Sequence, residues 1–191
     1  MDKHTVITIG RQFGSGGKQV ALEIGRILGI RVLDKELIVE AARESGLGKG
    51  LFEKMDERKN LYSINAGFGG NELFQIQSNV ISRIAEEGDA IFVGRCSNYV
   101  LRETPSLDVF ITAPSEVRAA RVMERCSVSE KEALSMMQKQ DKARAAYYNF
   151  FSFGDWGAAS DYDLCLDSSM LGIEGTAEYI IEFGRKAGII R

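Results

Sequence analysis

The chain has one histidine, two prolines, one tryptophan and three cysteines among its 191 residues. The scarcity of histidine and of cysteine removes classes of function. His4 stands ahead of the first apolar run with no second histidine to join it, which excludes histidine triads and multi-histidine metal centres. Cys96, Cys126 and Cys165 are far apart with no C-x-x-C pair. That spacing argues against a structural zinc site and a disulfide scaffold, and it fits a reducing, cytoplasmic compartment. No apolar run approaches the ~18 residues of a membrane span. The polar start Met1-Asp2-Lys3-His4 is not expected to be a signal peptide. A net charge of −3 gives no overall footprint for nucleic acid, so any anion site must be local. With no repeat or low-complexity tract, residues 1–191 read as one domain able to bury a substantial core.

What the chain does have is concentrated near its start. Thr5-Val6-Ile7-Thr8-Ile9 reads as a buried strand. Gly10, Gly14, Gly16 and Gly17 follow it, and an amphipathic run begins at Val20. Strand, glycine loop and helix form the layout of a phosphate cradle, in which backbone N–H groups converge on an anion and glycine admits close approach. The alternative is a tight strand-to-helix turn without a ligand. The pattern G-x-x-x-x-G-K-[ST] is not matched as written, because Arg11 stands at the first Gly and Gly17 at the Lys.

Further along, Gly29 ends the first helix, Arg31-Val32-Leu33 is a second strand, and a helix over Lys35 to Arg43 follows. Asp34 sits at that strand's carboxyl end, where α/β sheets place ligand contacts, although on local sequence alone it reads first as the cap of the next helix. Residues 44–71 are glycine-punctuated and charged, an acceptor-side insertion or a solvated excursion. A helix over Glu72 to Glu87 leads to the apolar strand Ala90-Ile91-Phe92-Val93, which releases Gly94-Arg95-Cys96. Arg95 is thus placed to pair with a phosphate. Ser97 to Arg102 is a short helix, and Leu107 to Thr112 is the fourth strand.

Ser115 is expected to cap a helix carrying Arg118, Arg121 and Arg125 on one face. Ser129-Glu130-Lys131-Glu132 is a capping box that opens the next helix, which carries Asp141 and Arg144. The short connection makes residues 115–151 a helical hairpin, expected to act as a lid over the loop. The aromatics Tyr147, Tyr148, Phe150, Phe151, Phe153 and Trp156 read as packing, as base stacking or as a contact between copies of the chain. A fifth strand over Asp163 to Asp167, a turn over Ser168 to Gly172 and a helix over Ile173 to Lys186 close the chain. Five strands separated by helical material predict a parallel α/β sheet with helices on both faces.

In this order and spacing the motifs resemble the cytidylate-kinase-like branch of the nucleoside monophosphate kinases. The resemblance rests on Gly14-Ser15-Gly16, Val32-Leu33-Asp34, Val93-Gly94-Arg95, Phe110-Ile111-Thr112-Ala113 with Arg118 and Arg121, Asp141 with Arg144, and Leu166-Asp167-Ser168-Ser169. It implies a three-layer P-loop NTPase fold with a small helical lid, and transfer of the γ-phosphoryl of ATP, with Mg²⁺, to a nucleoside monophosphate or similar small acceptor. By that resemblance Gly14, Ser15, Gly16, Gly17, Lys18 and Gln19 would hold the donor's phosphates. Asp34, Arg95 and Asp141 would serve the acceptor side, and Arg118, Arg121 and Arg144 the transferring group. Such chemistry needs positioning and positive charge rather than a histidine base.

The departures define the questions. Gly17 falls where the resembled enzymes carry the loop lysine, and Lys18 comes one place late, a rotation of ~100° on a helix. Gln19 offers no hydroxyl, Cys96 replaces an aspartate, and Met137 replaces a lid arginine. The G-S-G-G loop, Gly-Arg-Cys and Trp156-Gly157 are similar to a distinct group of cytidylate-kinase-like proteins. Three readings remain: a phosphotransferase in which Arg11 or Lys18 supplies the missing cation, a nucleotide-binding sensor or assembly protein without catalysis, or a kinase for a non-nucleotide acceptor.

Overall fold

The structure is a computed structural model, and it describes residues 4–34, 39, 42–43, 46 and 69–191. The expected helix over 35–43 and the insertion over 44–71 lie almost wholly outside these residues. Five strands, β1 (Val6–Arg11), β2 (Arg31–Leu33), β3 (Ala90–Val93), β4 (Leu107–Thr112) and β5 (Leu164–Asp167), form one sheet in the order β2-β3-β1-β4-β5. Every pairing is parallel. Six described helices accompany them: α1 (Gly17–Leu28), α2 (Gly69–Glu87), α3 (Ser97–Val100), α4 (Ser115–Cys126), α5 (Glu130–Ser152) and α6 (Ser168–Lys186).

The period-2 pleat divides the strands' apolar residues between two cores. On one face Ile7, Ile9, Ile91, Val109 and Ile111 pack against α1 and α6 through Val20, Ile24, Ala177 and Ile180. On the other, Val6, Ala90 and Phe92 meet Ile76, Val80, Ile81 and Ile84 of α2. Both faces of the central strands are therefore covered, which is why β3 is apolar throughout rather than alternating. A third, smaller cluster of Ala119, Val122, Ala133 and Met137 zips α4 to α5 and reaches Phe13 of the glycine loop. Each fully buried aliphatic contributes roughly 1.5–3 kcal/mol.

Four boundaries differ from the sequence expectation. β1 runs two residues beyond Ile9 because β4 is long enough to pair with it, Gly10 against Phe110 and Arg11 against Ile111. This lifts Arg11 to the carboxyl rim of the sheet. α1 begins at Gly17 rather than Val20, so the loop between strand and helix is short, with Gly16 in the left-handed region as the N-cap. Ser115 does not cap α4: Pro114 holds that position with no side-chain cap bond, and Ser115 is the first helical residue. The expected turn at 168–172 is instead a helical start from Ser168, capped by Asp167 and broken at Gly172, where φ is 69°. The Ser129–Glu132 capping box forms as read.

Candidate active site

The carboxyl ends of β1, β2 and β3 meet at a cleft of about 360 Å³. Gly10, Val93 and Gly94 line it at the strand ends. Arg11, Lys18, Arg95 and Arg144 line it with Asp34, so among the described lining residues four cations face one carboxylate. Beside the cleft, the N-terminus of α1 leaves its first-turn amides without intrahelical acceptors, and no side chain caps them. Gly14 and Gly16 both adopt φ of 81°. A Cβ on Gly14 would lie 2.8 Å from the Arg118 carbonyl, so this bend requires glycine sterically as well as conformationally. The loop thus presents amide N–H groups and a positive helix end, a fit for phosphate.

Arg11 takes a course that explains Gly17. A Cβ on Gly17 would fall 2.6 Å from Arg11 Cβ and 2.9 Å from its Cγ. A Cβ on Gly94, at φ 76°, would fall on the Arg11 guanidinium. The Arg11 side chain therefore lies along a track left open by two glycines and carries its charge into the cleft. Lys18 goes elsewhere: its Nζ donates to Asp34 Oδ2 at 2.5 Å, and Asp34 is the more buried partner.

Arg95 follows β3 on a strained turn. Gly94, Arg95 and Cys96 are consecutive left-handed residues, with φ of 76°, 59° and 57°. Such a conformation costs a non-glycine residue about 1 kcal/mol or more and persists only where the surroundings enforce it. Here Gln77, buried on α2, accepts from Arg95 Nε at 2.9 Å and from Nη2. Tyr147 Oη accepts from Nη2 at 2.7 Å, and its ring lies 4.1 Å below the guanidinium. One edge of Arg95 is thus fixed by protein. Burial raises the Tyr147 phenol and pushes the Cys96 thiol up to about 12 against the opposing pull of Arg95. Both stay neutral and contribute shape rather than charge.

The remaining expected residues divide. Arg144 lines the cleft and also donates from Nη1 to the Arg11 carbonyl at 2.9 Å; burial lowers its pKa, with Asp141 opposing. Arg118, Arg121 and Asp141 do not line it. Asp141 accepts from Phe13 N at 2.7 Å and from Arg118 Nη1 at 2.6 Å, and Arg118 reaches the Phe13 carbonyl at 3.2 Å. Arg121 donates to the Ser15 carbonyl at 3.1 Å and to Ser168 Oγ at 2.9 Å. Arg125 lies 4.9 Å over the Phe13 ring. The arginine face of α4 does point at the glycine loop, as its spacing suggested, but it grips the loop's carbonyls. Ser15 and Gln19 fare differently: the Ser15 hydroxyl is turned to the Gln12 carbonyl at 2.9 Å, and the Gln19 side chain is exposed on α1.

Sequence reasoning passed over Gln77, Asn98 and Tyr162. Gln77 carried a signal, a polar residue four places after Leu73 and four before Ile81 on an apolar stripe. The others carried none, because they converge only through the fold.

Residues 6–170 match the cytidylate kinase-like family. The cytidylate kinase of Pyrobaculum calidifontis is 27% identical over 179 residues, covering 93% of this chain and 91% of that one. The cytidylate kinase of Methanopyrus kandleri is 30% identical over 174 residues, covering 86% and 84%. Among solved structures, an uncharacterized protein from Eubacterium ventriosum is 31% identical with a TM-score of 0.76, covering 93% of this chain and 96% of that one. Shikimate kinase from Acinetobacter baumannii, in complex with shikimate, superposes with a TM-score of 0.56 at 13% identity, covering 97% and 95%. That likeness is one of fold, the three-layer P-loop kinase architecture.

Proposed function

The chain belongs to the cytidylate kinase-like family and is a kinase, and from this premise we propose that it transfers the γ-phosphoryl of ATP to a nucleoside monophosphate held in the cleft. An acceptor phosphate oxygen attacks the γ-phosphorus, the bond to the β–γ bridging oxygen breaks, and ADP leaves. The amides of Gly14, Ser15, Gly16, Gly17, Lys18 and Gln19 take the donor phosphates. The exposed edge of Arg95 takes the acceptor phosphate. Mg²⁺ bound to the donor's phosphates would neutralise part of their charge.

The observation that carries this reading is the course of Arg11 over Gly17 and Gly94 into the cleft. Arg11 brings a permanent cation to the place the missing loop lysine would serve, where charge spreads off the transferring group. Arg144 shares that task from α5. Arg118, Arg121 and Asp141 act as positioning residues that fix the loop, and Asp34 holds Lys18 at the acceptor end.

The test is release of ADP from MgATP in the presence of each nucleoside monophosphate. Turnover with at least one acceptor is expected. ATP binding without turnover on any acceptor would overturn the proposal in favour of a nucleotide-binding protein that lacks catalysis.

A further inference from the structure

Past the arginines the cleft continues to a wall of different character: Asn98, Tyr148, Trp156 and Tyr162. None of these side chains is charged. Their place follows from the sheet. Trp156 and Tyr162 lean on Phe110 of β4, with ring centroids 5.4 Å and 5.0 Å away. β4 lies two strands from the β3 that delivers Arg95, a separation of roughly 10 Å at ~4.8 Å per strand.

The wall is built around vacancies. A Cβ on Gly10 would come within 2.8 Å of the Phe110 ring and 3.0 Å of Tyr162 Oη. One on Gly157, at φ 82°, would come within 2.9 Å of the same ring. Trp156 stands 81° to the Phe110 plane and is only half-buried, so the two rings do not cover each other face to face. Its backbone N–H is anchored on Asn149 Oδ1 at 2.9 Å. The Asn98 amide nitrogen donates to Tyr148 Oη at 3.0 Å and to the Asp161 carbonyl at 3.4 Å, which orients the carboxamide and leaves Oδ1 as its accepting end.

We propose that this wall is a base subsite: Trp156 lies against the ring of a nucleobase-bearing acceptor, and Asn98 Oδ1 accepts a hydrogen from the base edge. The acceptor then spans the strand ends, with its phosphate on Arg95 and its ring beside Trp156. An uncharged aromatic end two strand spacings from a cationic one matches a molecule with one anionic terminus and one heteroaromatic terminus, and not a molecule charged at both. The assignment rests on the cleft being the acceptor site of the phosphotransferase described above.

Trp156 is the chain's one tryptophan, so the wild-type protein reports on its own subsite. CMP, UMP, AMP, GMP and ribose 5-phosphate are titrated while tryptophan emission and binding heat are followed. At least one of the nucleotides should quench emission with the Kd that calorimetry gives, and ribose 5-phosphate should not quench. Trp156→Ala should raise that nucleotide's Kd roughly tenfold, with ATP affinity unchanged. Asn98→Leu should raise it as well and serves as the second variant should Trp156→Ala fail to fold. Nucleotides that bind without changing emission, no binding by any of the four, or an unchanged Kd in both variants would overturn the subsite. Quenching without ADP formation would sink phosphoryl transfer and leave the subsite standing. Turnover confined to acceptors without a base would do the reverse.

Discussion

Two sets of three arginines gather around the glycine loop and the cleft beside it. Arg118, Arg121 and Arg125 come from α4 and meet the loop's outer face, at the Phe13 and Ser15 carbonyls and the Phe13 ring. Arg11, Arg95 and Arg144 come from β1, the β3 end and α5 and line the cleft on the inner side. The residue type is the same and the work differs, because a loop that turns its amides to an anion turns its carbonyls away from it. Those outward carbonyls need donors once buried, and guanidinium groups supply them. The outer set holds the loop's carbonyls; the inner set faces the cleft. Arg144 joins the two: its guanidinium lies 5.6 Å over the Phe13 ring, donates to the Arg11 carbonyl and lines the cleft.

If this division is right, the two sets must fail differently when altered. The largest effect on stability is expected at Arg118→Ala. It leaves Asp141 with the Phe13 N–H but without its cationic partner, and the pair is largely buried at 12% and 18% side-chain exposure. Breaking such a pair costs about 3 kcal/mol. Denaturant unfolding should show that loss together with weakened ATP binding; a variant as stable as wild type would erase the structural role of the outer set. Arg11→Ala should cost less stability than Arg118→Ala and lower kcat by ~10²–10³. Steady-state kinetics would break the comparison if kcat held while the melting midpoint fell.

A smaller effect tests how Arg95 is held. Gln77→Leu removes the acceptor for its Nε and Nη2. KM for the phosphorylated acceptor should rise roughly tenfold, the value of one charge-assisted hydrogen bond, with KM for ATP unchanged. An equal rise in both would mean that Gln77 supports the whole site rather than Arg95. Cysteine labelling should separate buried from exposed thiols near pH 8. Cys165 is exposed and should react, whereas Cys96, buried and pushed up to about 12, should not react until the protein unfolds.

The smallest predicted effect lies away from the cleft. Burial raises the pKa of Asp108, against the pull of hydrogen bonds from Thr8 at 2.6 Å and Ser106. A raised folded-state value favours the neutral form. Its stabilisation is full below the unfolded value of about 3.9 and is lost as pH rises through the folded value. Asp108→Asn should therefore stabilise the protein at pH 7, with a gain that vanishes near pH 3. A gain that is constant across that range would show that the charge of Asp108 is not what matters.

Much of this was legible in the chain before any coordinates. The apolar runs at Ile7, Ile91 and Ile111 fixed where the strands run, because two-sided burial demands unbroken hydrophobicity. Gly29, Ser129 and Glu132 marked helix ends through local backbone chemistry. The glycine loop and Arg95 were visible as strand-end residues. The roles of Gly17 and Arg11 were not. The sequence showed a lysine missing, and only the packing showed that the space it would occupy is filled from the strand before it. Arg118 and Arg144 look alike in sequence, each an arginine on an amphipathic helix, and the hairpin turns one to the loop's carbonyls and the other to the cleft. Trp156 and Asn98 stand 58 residues apart and meet through β4 and α5.

Taken by itself, the sequence determined the parallel sheet, the order of its elements and the position of the phosphate loop. These depend on periodicity, capping and turn chemistry, which act over a few residues. The tertiary structure decided which cations face the cleft, which arginines hold the loop's carbonyls and which aromatics line the cleft. Those depend on where side chains of distant segments exclude one another, and no local pattern encodes that.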